Sequence, residues 1–144
     1  AETKDIHDDS YHFEWGKAEV LRQGSDVTIF ATGIMTAKAL DAAETLAKQG
    51  VQAEVINVHT IKPLDEETVI ASAKKTGKVV TAEEHSIIGG LGSAVAEVLA
   101  RQCPTKQAFV GVQDSFGESG SPNDLLEKYG LTTEAIVKAA VGLQ

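Results

Sequence analysis

Short apolar segments alternate with segments of helical pattern along most of the chain, and this alternation constrains the fold more than any other feature. Four apolar, β-branched runs are predicted strands, at 27–32, 51–58, 78–82 and 107–112. Helical patterns separate each run from the next. Strands that are joined through helices need crossover connections, which favour one parallel sheet covered by helices on both faces.

The predicted helices have recognisable end signals. The helical pattern at 37–49 is followed by Gly50, which suits the left-handed position after a helix. Asp65 is predicted to cap a helix that ends at Gly77, since its side chain can accept a free N–H of the first turn. Three further helices carry similar signals and are predicted at 91–102, from the cap Ser121 to Gly130, and from the cap Thr132 to about Val141.

Together these elements predict one three-layer α/β/α sandwich over residues 16–144, with a mostly parallel sheet of about five strands. The segment 16–24 supplies a short strand, which is expected to be the one antiparallel edge strand. Residues 1–15 are polar with late aromatic side chains, and they are predicted to form an N-terminal arm or linker. A chain of 144 residues suits a single domain of ordinary size.

Charge and composition exclude several classes of partner. The chain has 13 Lys and Arg against 21 Asp and Glu, a net charge of −8, which repels phosphate backbones, so no nucleic-acid partner is expected. No apolar run approaches the roughly 20 residues of a membrane span, so no membrane partner is expected. Cys103 is the single cysteine, which excludes an internal disulfide. It fits a reducing compartment, and a cytoplasmic location is expected.

The segment TAEEHSIIGGLGSA at 81–94 holds the richest chemistry. It places Glu83, Glu84 and His85 at the carboxyl end of a strand, where open parallel sheets usually bind ligands. Its glycine turn then leads into a helix N-terminus, whose N–H groups can hold an anion, although tight packing is the commoner use of such glycines. The candidate residues for an anion-binding or interface loop are Lys62, Glu84, His85, Gly89, Gly90, Gly92, Ser93 and Phe116.

Two other patterns are weak signals of catalysis. The segment 117–121, GESGS, departs from the G-x-S-x-G nucleophile elbow because its second glycine comes one place early. The polar arm also contains His7, Asp8, Asp9 and His12, which could form a metal cluster. Such a cluster would have too few ligands and would not be held rigidly. No catalytic, cofactor-binding or metal-binding residue is therefore assigned in this chain.

Five segments occur in one order that is more specific than any of them alone. They are GKAEVLR at 16–22, DVTIFATG at 26–33, TIKPLD at 60–65, VTAEEHSIIGGLGSAVAE at 80–97 and FGESGSPNDLLEKYGLT at 116–132. The ordered set resembles the C-terminal domain of transketolase, especially the form at the end of the smaller chain of split bacterial and archaeal enzymes. The resemblance covers nearly the whole chain from about residue 11.

The resemblance implies a parent enzyme that uses thiamine diphosphate and Mg²⁺ to move a two-carbon ketol unit from a ketose phosphate to an aldose phosphate. In the family, separate pyrophosphate-binding and pyrimidine-binding domains hold the cofactor, and the active site lies between them. This chain has no Gly-Asp-Gly diphosphate motif, and neither Glu83 nor Glu84 corresponds to the activating glutamate. The resemblance thus implies a non-catalytic domain that packs against those missing domains and serves assembly of a homodimer.

Two alternatives remain open. The equivalent domains of 1-deoxy-xylulose-5-phosphate synthase and of 2-oxo-acid dehydrogenase E1 β subunits look similar, although the segments 116–120 and 129–132 favour transketolase. A function of another class is a stand-alone regulatory module that holds an anion at the turn 89–93 with help from Lys62.

Overall fold

The computed structural model describes residues 16–86, 89–112 and 130–144. Strands and helices alternate in these ranges after an initial pair of strands, as the sequence predicts. The elements are β1 Glu19–Arg22, β2 Val27–Ala31, α1 Met35–Lys48, β3 Ala53–Asn57, α2 Glu66–Thr76, β4 Lys78–Ser86, α3 Leu91–Gln102, β5 Lys106–Val112 and α4 Thr133–Gly142. The helix predicted from Ser121 lies outside the described residues.

The five strands form one sheet in the order β1-β3-β2-β4-β5. β2 pairs in parallel with both β3 and β4, and β5 pairs in parallel with β4. β1 pairs antiparallel with β3, so that Glu19 lies opposite Asn57. The predicted mixed sheet with one antiparallel edge strand is therefore confirmed.

Helices cover both faces of the sheet, which gives the predicted three layers. α1 and α4 pack on the face that includes Ile29, whereas α2 and α3 pack on the face that includes its neighbour Phe30. Successive side chains of a strand point to opposite faces, and all five residues of β2 are buried. This two-sided burial explains why β2 is apolar at every position except Thr28. In the described ranges, no helix combines the length and apolar character needed to cross a bilayer.

The helix end signals act as predicted. Asp65 Oδ1 accepts the N–H of Thr68 at 3.2 Å, and Gly77 ends α2 with a left-handed φ of 73°. Thr132 Oγ1 accepts the N–H of Ala135 at 3.1 Å at the start of α4. Gly50 follows α1 with a φ of 81°.

β4 is longer than predicted, since it runs to Ser86 rather than ending at residue 82. Acidic residues are depleted in strands, so Glu83 and Glu84 look like loop residues in the sequence. Pairing with β5 nevertheless resumes beyond an irregularity, where Ser86 lies opposite Val112. Tertiary pairing therefore overrides the local preference at this point.

Candidate functional site

The best candidate site is the crevice between the carboxyl ends of β2 and β4. These two strands are neighbours in the sheet. The chain leaves β2 for α1 on one face and leaves β4 for α3 on the opposite face. Open α/β sheets bind ligands in the crevice that such divergent connections create.

Glu83 lies at the base of this crevice and is completely buried. Its Oε1 accepts the backbone N–H of Leu91 at 2.8 Å, and its Oε2 accepts the N–H of Gly92 at 2.7 Å. These are the first two residues of α3, whose free N–H groups and dipole favour a negative group. The protein thus supplies its own carboxyl group to the helix N-terminus, a role that the sequence analysis did not assign to Glu83.

The glycines of the following turn have separate structural reasons. Gly92 lies against β5, because a Cβ atom on it would be only 2.5 Å from Cδ2 of Phe109. Gly89 has a left-handed φ of 81°, and its N–H donates to Ser93 Oγ at 3.0 Å. Gly90 precedes α3 without a side-chain cap. The packing interpretation of the turn is confirmed at Gly92.

An external anion at the start of α3 would have to displace the carboxyl group of Glu83 from the N–H groups of Leu91 and Gly92. It would also be repelled by that group if the group stayed in place. Anion binding at residues 89–93 therefore stays a prediction. It would cost the two hydrogen bonds that the Glu83 carboxyl group accepts.

Glu84 fills the upper part of the crevice. A Cβ atom on Gly33, which follows β2 with a φ of 61°, would lie 2.5 Å from Oε1 of Glu84. Glu84 is half-buried. The N–H of Thr32 donates to the carbonyl oxygen of Ala82 at 3.2 Å and holds the two strand ends together. Two carboxyl side chains of the protein therefore occupy the place where a ligand of this fold class would lie.

The remaining predicted residues are spread over other segments. Lys62 is exposed on the connection between β3 and α2, and its peptide bond to Pro63 is cis. The backbone of His85 belongs to β4, but its side chain is not among the described ones. Phe116 and the arm residues His7, Asp8, Asp9 and His12 lie outside the described ranges. Within those ranges, no group of three or more His, Cys, Asp or Glu is arranged to hold a metal ion.

A buried carboxyl group that the sequence analysis missed lies under α2. Glu54 on β3 is 4% exposed, its Oε1 accepts Lys75 Nζ at 2.6 Å, and its Oε2 accepts Ser72 Oγ at 2.6 Å. Burial alone would raise the pKa of Glu54, but the hydrogen bonds from Lys75, Ser72 and the Gly24 N–H outweigh it and lower the pKa. A glutamate between apolar residues of a strand, Ala53 and Val55, was the available signal.

Three hydroxyl groups continue this network toward β2. Thr28 Oγ1 lies 2.7 Å from Ser72 Oγ and 2.8 Å from Thr76 Oγ1. The carbonyl oxygens of Ser72 and Lys78 lie 3.2 and 3.1 Å from Thr76 Oγ1, so either one can accept its single hydroxyl hydrogen. Since the hydroxyl groups have partners within the protein, the network holds α2 on the sheet and offers no free group for chemistry.

Comparison with known proteins identifies the family. A model of the family described as the transketolase C-terminal domain matches residues 16–136. The chain belongs to that family. The assignment agrees with the sheet order and with the ordered motifs of the sequence.

Segments similar to this transketolase C-terminal domain occur in proteins that carry two different enzyme names. The chain is 60% identical over 135 residues to the 6-deoxy-6-sulfo-D-fructose transketolase subunit of Clostridium sp. strain MSTE9, covering 94% of this chain and 42% of that protein. It is 45% identical over 127 residues to 1-deoxy-D-xylulose-5-phosphate synthase of Desulforudis audaxviator, covering 87% of this chain and 20% of that protein.

A solved structure described as a split-gene transketolase, an inactive β4 tetramer, superposes with a TM-score of 0.92 and 52% identity. The superposition covers 98% of this chain and 46% of that chain. This chain therefore spans less than half the length of these relatives, and other domains or subunits are implied for the complete protein.

Proposed function

We propose that this domain is the C-terminal part of a thiamine-diphosphate-dependent transketolase, and that it serves domain packing and assembly rather than the chemical step. The parent enzyme would transfer a two-carbon ketol unit between ketose and aldose phosphates. The observation that carries this proposal is the 60% identity to a transketolase subunit over 94% of this chain. The relative at 45% identity makes 1-deoxy-D-xylulose-5-phosphate synthase the second candidate.

The described residues do not fit thiamine diphosphate and its Mg²⁺. The helix N-terminus at the crevice already holds the carboxyl group of Glu83, which would repel a diphosphate. No cluster of metal ligands is present in the described ranges. We accordingly place the cofactor on the pyrophosphate- and pyrimidine-binding domains of the parent enzyme, which we expect to be a homodimer in the cytoplasm.

Calorimetric titration tests the division of roles. Thiamine diphosphate with Mg²⁺ is titrated into this chain and, separately, into the parent enzyme that contains it. We expect heat of binding for the parent enzyme and none for the isolated domain. Binding of comparable affinity to the isolated domain would contradict a non-catalytic role, because the domain would then hold the cofactor by itself.

Turnover by the parent enzyme separates the candidate reactions. Xylulose 5-phosphate with ribose 5-phosphate tests transketolase, and pyruvate with glyceraldehyde 3-phosphate tests the synthase. A third assay replaces the ketose donor with 6-deoxy-6-sulfo-D-fructose, the sugar in the name of the Clostridium relative. We expect ketol transfer from a ketose donor. Turnover only in the assay with pyruvate and glyceraldehyde 3-phosphate would favour the synthase.

A further inference from the structure

The direction of β1 determines where the preceding polypeptide reaches this domain. β1 is antiparallel to β3, and its first residue, Glu19, lies opposite Asn57, the last residue of β3. The chain therefore enters β1 at the carboxyl edge of the parallel strands. The connection between β3 and α2 begins at the same edge, and it contains residues 58–65.

Asp65 ties the entering chain to this connection. Its Oδ2 accepts the backbone N–H of Ala18 at 2.9 Å, while its Oδ1 caps α2 by accepting the N–H of Thr68 at 3.2 Å. Asp65 is only 8% exposed. The burial would raise its pKa, but the hydrogen bonds from Thr68 and Ala18 and the charge of Lys17 lower it instead. Oδ2 also accepts the hydroxyl group of Thr68 at 2.6 Å, so one carboxyl group joins the entering chain to the first turn of α2.

Two further contacts hold the same segments together. Oε1 of Glu19 lies 4.0 Å from Nε2 of His59, with 20% of each side chain exposed. Ala18 packs against the core cluster between the sheet, α2 and α3, and Ile61 and Leu64 of the connection pack against the same cluster. The direction of the chain at residues 17–19 is therefore set by strand pairing with β3, by contacts with Asp65 and His59 of the connection, and by apolar contact with the core.

We propose that residues 16–19 and 59–64, here called the junction surface, are the docking site for the polypeptide that precedes this domain in the parent enzyme. The inference rests on the proposed function, since it requires that the domain belong to a longer protein. Its relatives are more than twice as long as the matched segment, because that segment is 42% of one and 46% of another. Lys17, Lys62 and Pro63 are exposed on this surface and are available to a neighbour.

The alternative surface is a groove of about 460 Å³ between β5 and α4, whose lining includes Ala108, Gly111, Ala135 and Lys138. It borders residues on both sides of the undescribed range 113–129, and nothing in the described ranges shows what covers it. The groove therefore carries no proposal, but it supplies an internal control surface.

Amide hydrogen exchange tests the junction surface directly. Exchange is compared between this chain and the parent polypeptide that contains it. We expect amides of residues 59–62 and 64 to exchange at least about tenfold more slowly in the parent, whereas amides of α4 exchange equally in both. Equal exchange of 59–64 in the two proteins, with new protection elsewhere, would overturn the inference.

Two variants of the parent enzyme, each with one exposed lysine replaced by glutamate, separate docking from folding. Lys62→Glu changes an exposed side chain of the junction surface, and Lys138→Glu makes the same change on the exposed face of α4. We expect Lys62→Glu to lose at least about half of the protection gained at 59–64, and Lys138→Glu to retain it. Retained protection in both variants would count against docking at this surface.

Asp65 has its own pair of variants. Asp65→Ser keeps a short acceptor for the α2 cap but withdraws the oxygen that holds Ala18, whereas Thr132→Ala removes the cap of α4, away from the junction. Only Asp65→Ser should speed exchange at residues 18–20; equal effects of the two variants there would overturn its positioning role. If the parent enzyme transfers ketol units but residues 59–64 gain no protection, the inference is refuted and the proposed function stands. If residues 59–64 gain protection but no ketol transfer occurs, the proposed function is refuted and the inference stands.

Discussion

The buried carboxyl group of Glu83 and the backbone N–H of Gly92 are joined by a hydrogen bond of 2.7 Å. The bond links the carboxyl end of β4 directly to the first turn of α3. Gly92 also lies against the ring of Phe109 on β5. One residue of α3 is thus fitted between two neighbouring strands, and both contacts can be tested separately.

Glu83→Gln should destabilise the domain. A glutamine offers one acceptor oxygen, so its NH₂ group would face one of the two N–H groups at the start of α3 and leave it unpaired in a buried place. Leaving a buried donor unsatisfied costs about 1–3 kcal/mol. Urea unfolding of the isolated domain measures the change in the free energy of unfolding.

Glu84→Gln is the matched control for this prediction, since it makes the same change at the next residue, which is half-buried and over Gly33. We expect its effect to be within about 0.5 kcal/mol. Equal urea midpoints for the two variants would show that Glu83 does not stabilise α3.

Gly92→Ala should destabilise the domain although alanine is the better helix former. The new methyl group would lie 2.5 Å from the ring of Phe109 and 3.1 Å from Oγ1 of Thr81. Overpacking typically costs about 1–3 kcal/mol, and at a separation of 2.5 Å we expect a cost above the helix propensity gain of about 1 kcal/mol. Thermal and urea unfolding should both report the loss.

Gly142→Ala at the end of α4 separates propensity from packing. No atom lies within 4 Å of a Cβ built there, so alanine meets no neighbour. The variant should be neutral or up to about 1 kcal/mol more stable than the wild type. A loss at Gly142 as large as that at Gly92 would mean that contact with Phe109 is not the cause.

Thr28→Val should cost less than Glu83→Gln. The remaining hydroxyl groups keep other partners, because Ser72 Oγ still donates to Glu54 and Thr76 Oγ1 still donates to the carbonyl oxygen of Lys78. The expected loss is about 1 kcal/mol, the net value of one hydrogen bond. A double-mutant cycle with Thr76→Val should show coupling between the two hydroxyl groups, and strict additivity would contradict their direct interaction.

Acid should unfold the domain through Glu54 and Asp65. Their pKa values are lowered below the ordinary 4.5 and 3.8, so the unfolded state takes up protons before the folded state as the pH falls. The stability that they contribute is fully present above the ordinary pKa values and is lost as the pH falls through the lowered ones. Urea midpoints should be nearly flat from about pH 7 to 5 and fall below about pH 4.5.

Glu54→Gln checks this assignment, because glutamine does not titrate. The variant should have a lower midpoint at neutral pH, where the contact with Lys75 is weakened, and a shallower decline in acid. An acid decline as steep as that of the wild type would place the titrating groups elsewhere.

Much of the fold follows from local patterns in the sequence. The apolar run at β2 and the caps Asp65 and Thr132 use short-range chemistry, and they appear in the structure as predicted. The start and end of α3, Leu91 and Gln102, agree with the predicted range because a glycine turn and Pro104 bound it. These signals depend on neighbours within a few residues.

The site was less predictable because its contacts join residues that are distant in sequence. The role of Glu83 depends on α3 returning over the end of β4, and the role of Glu54 depends on where Lys75 and Ser72 lie along α2. An acidic residue in a strand signals that a partner exists without naming it. The extension of β4 to Ser86 likewise depends on pairing with Val112.

The layer formed by α1 and α4 has a consequence for how the domain acquires its structure. Ala39 and Leu46 of α1 share a core with Ile136 and Ala140 of α4, although three strands and two helices of the described ranges separate them along the chain. Such distant contacts raise contact order and slow folding, because loop-closure entropy must be overcome before they form. Until α4 arrives, the apolar side of α1 and its strands is open to solvent, and intermediates at that stage are the ones most prone to aggregate.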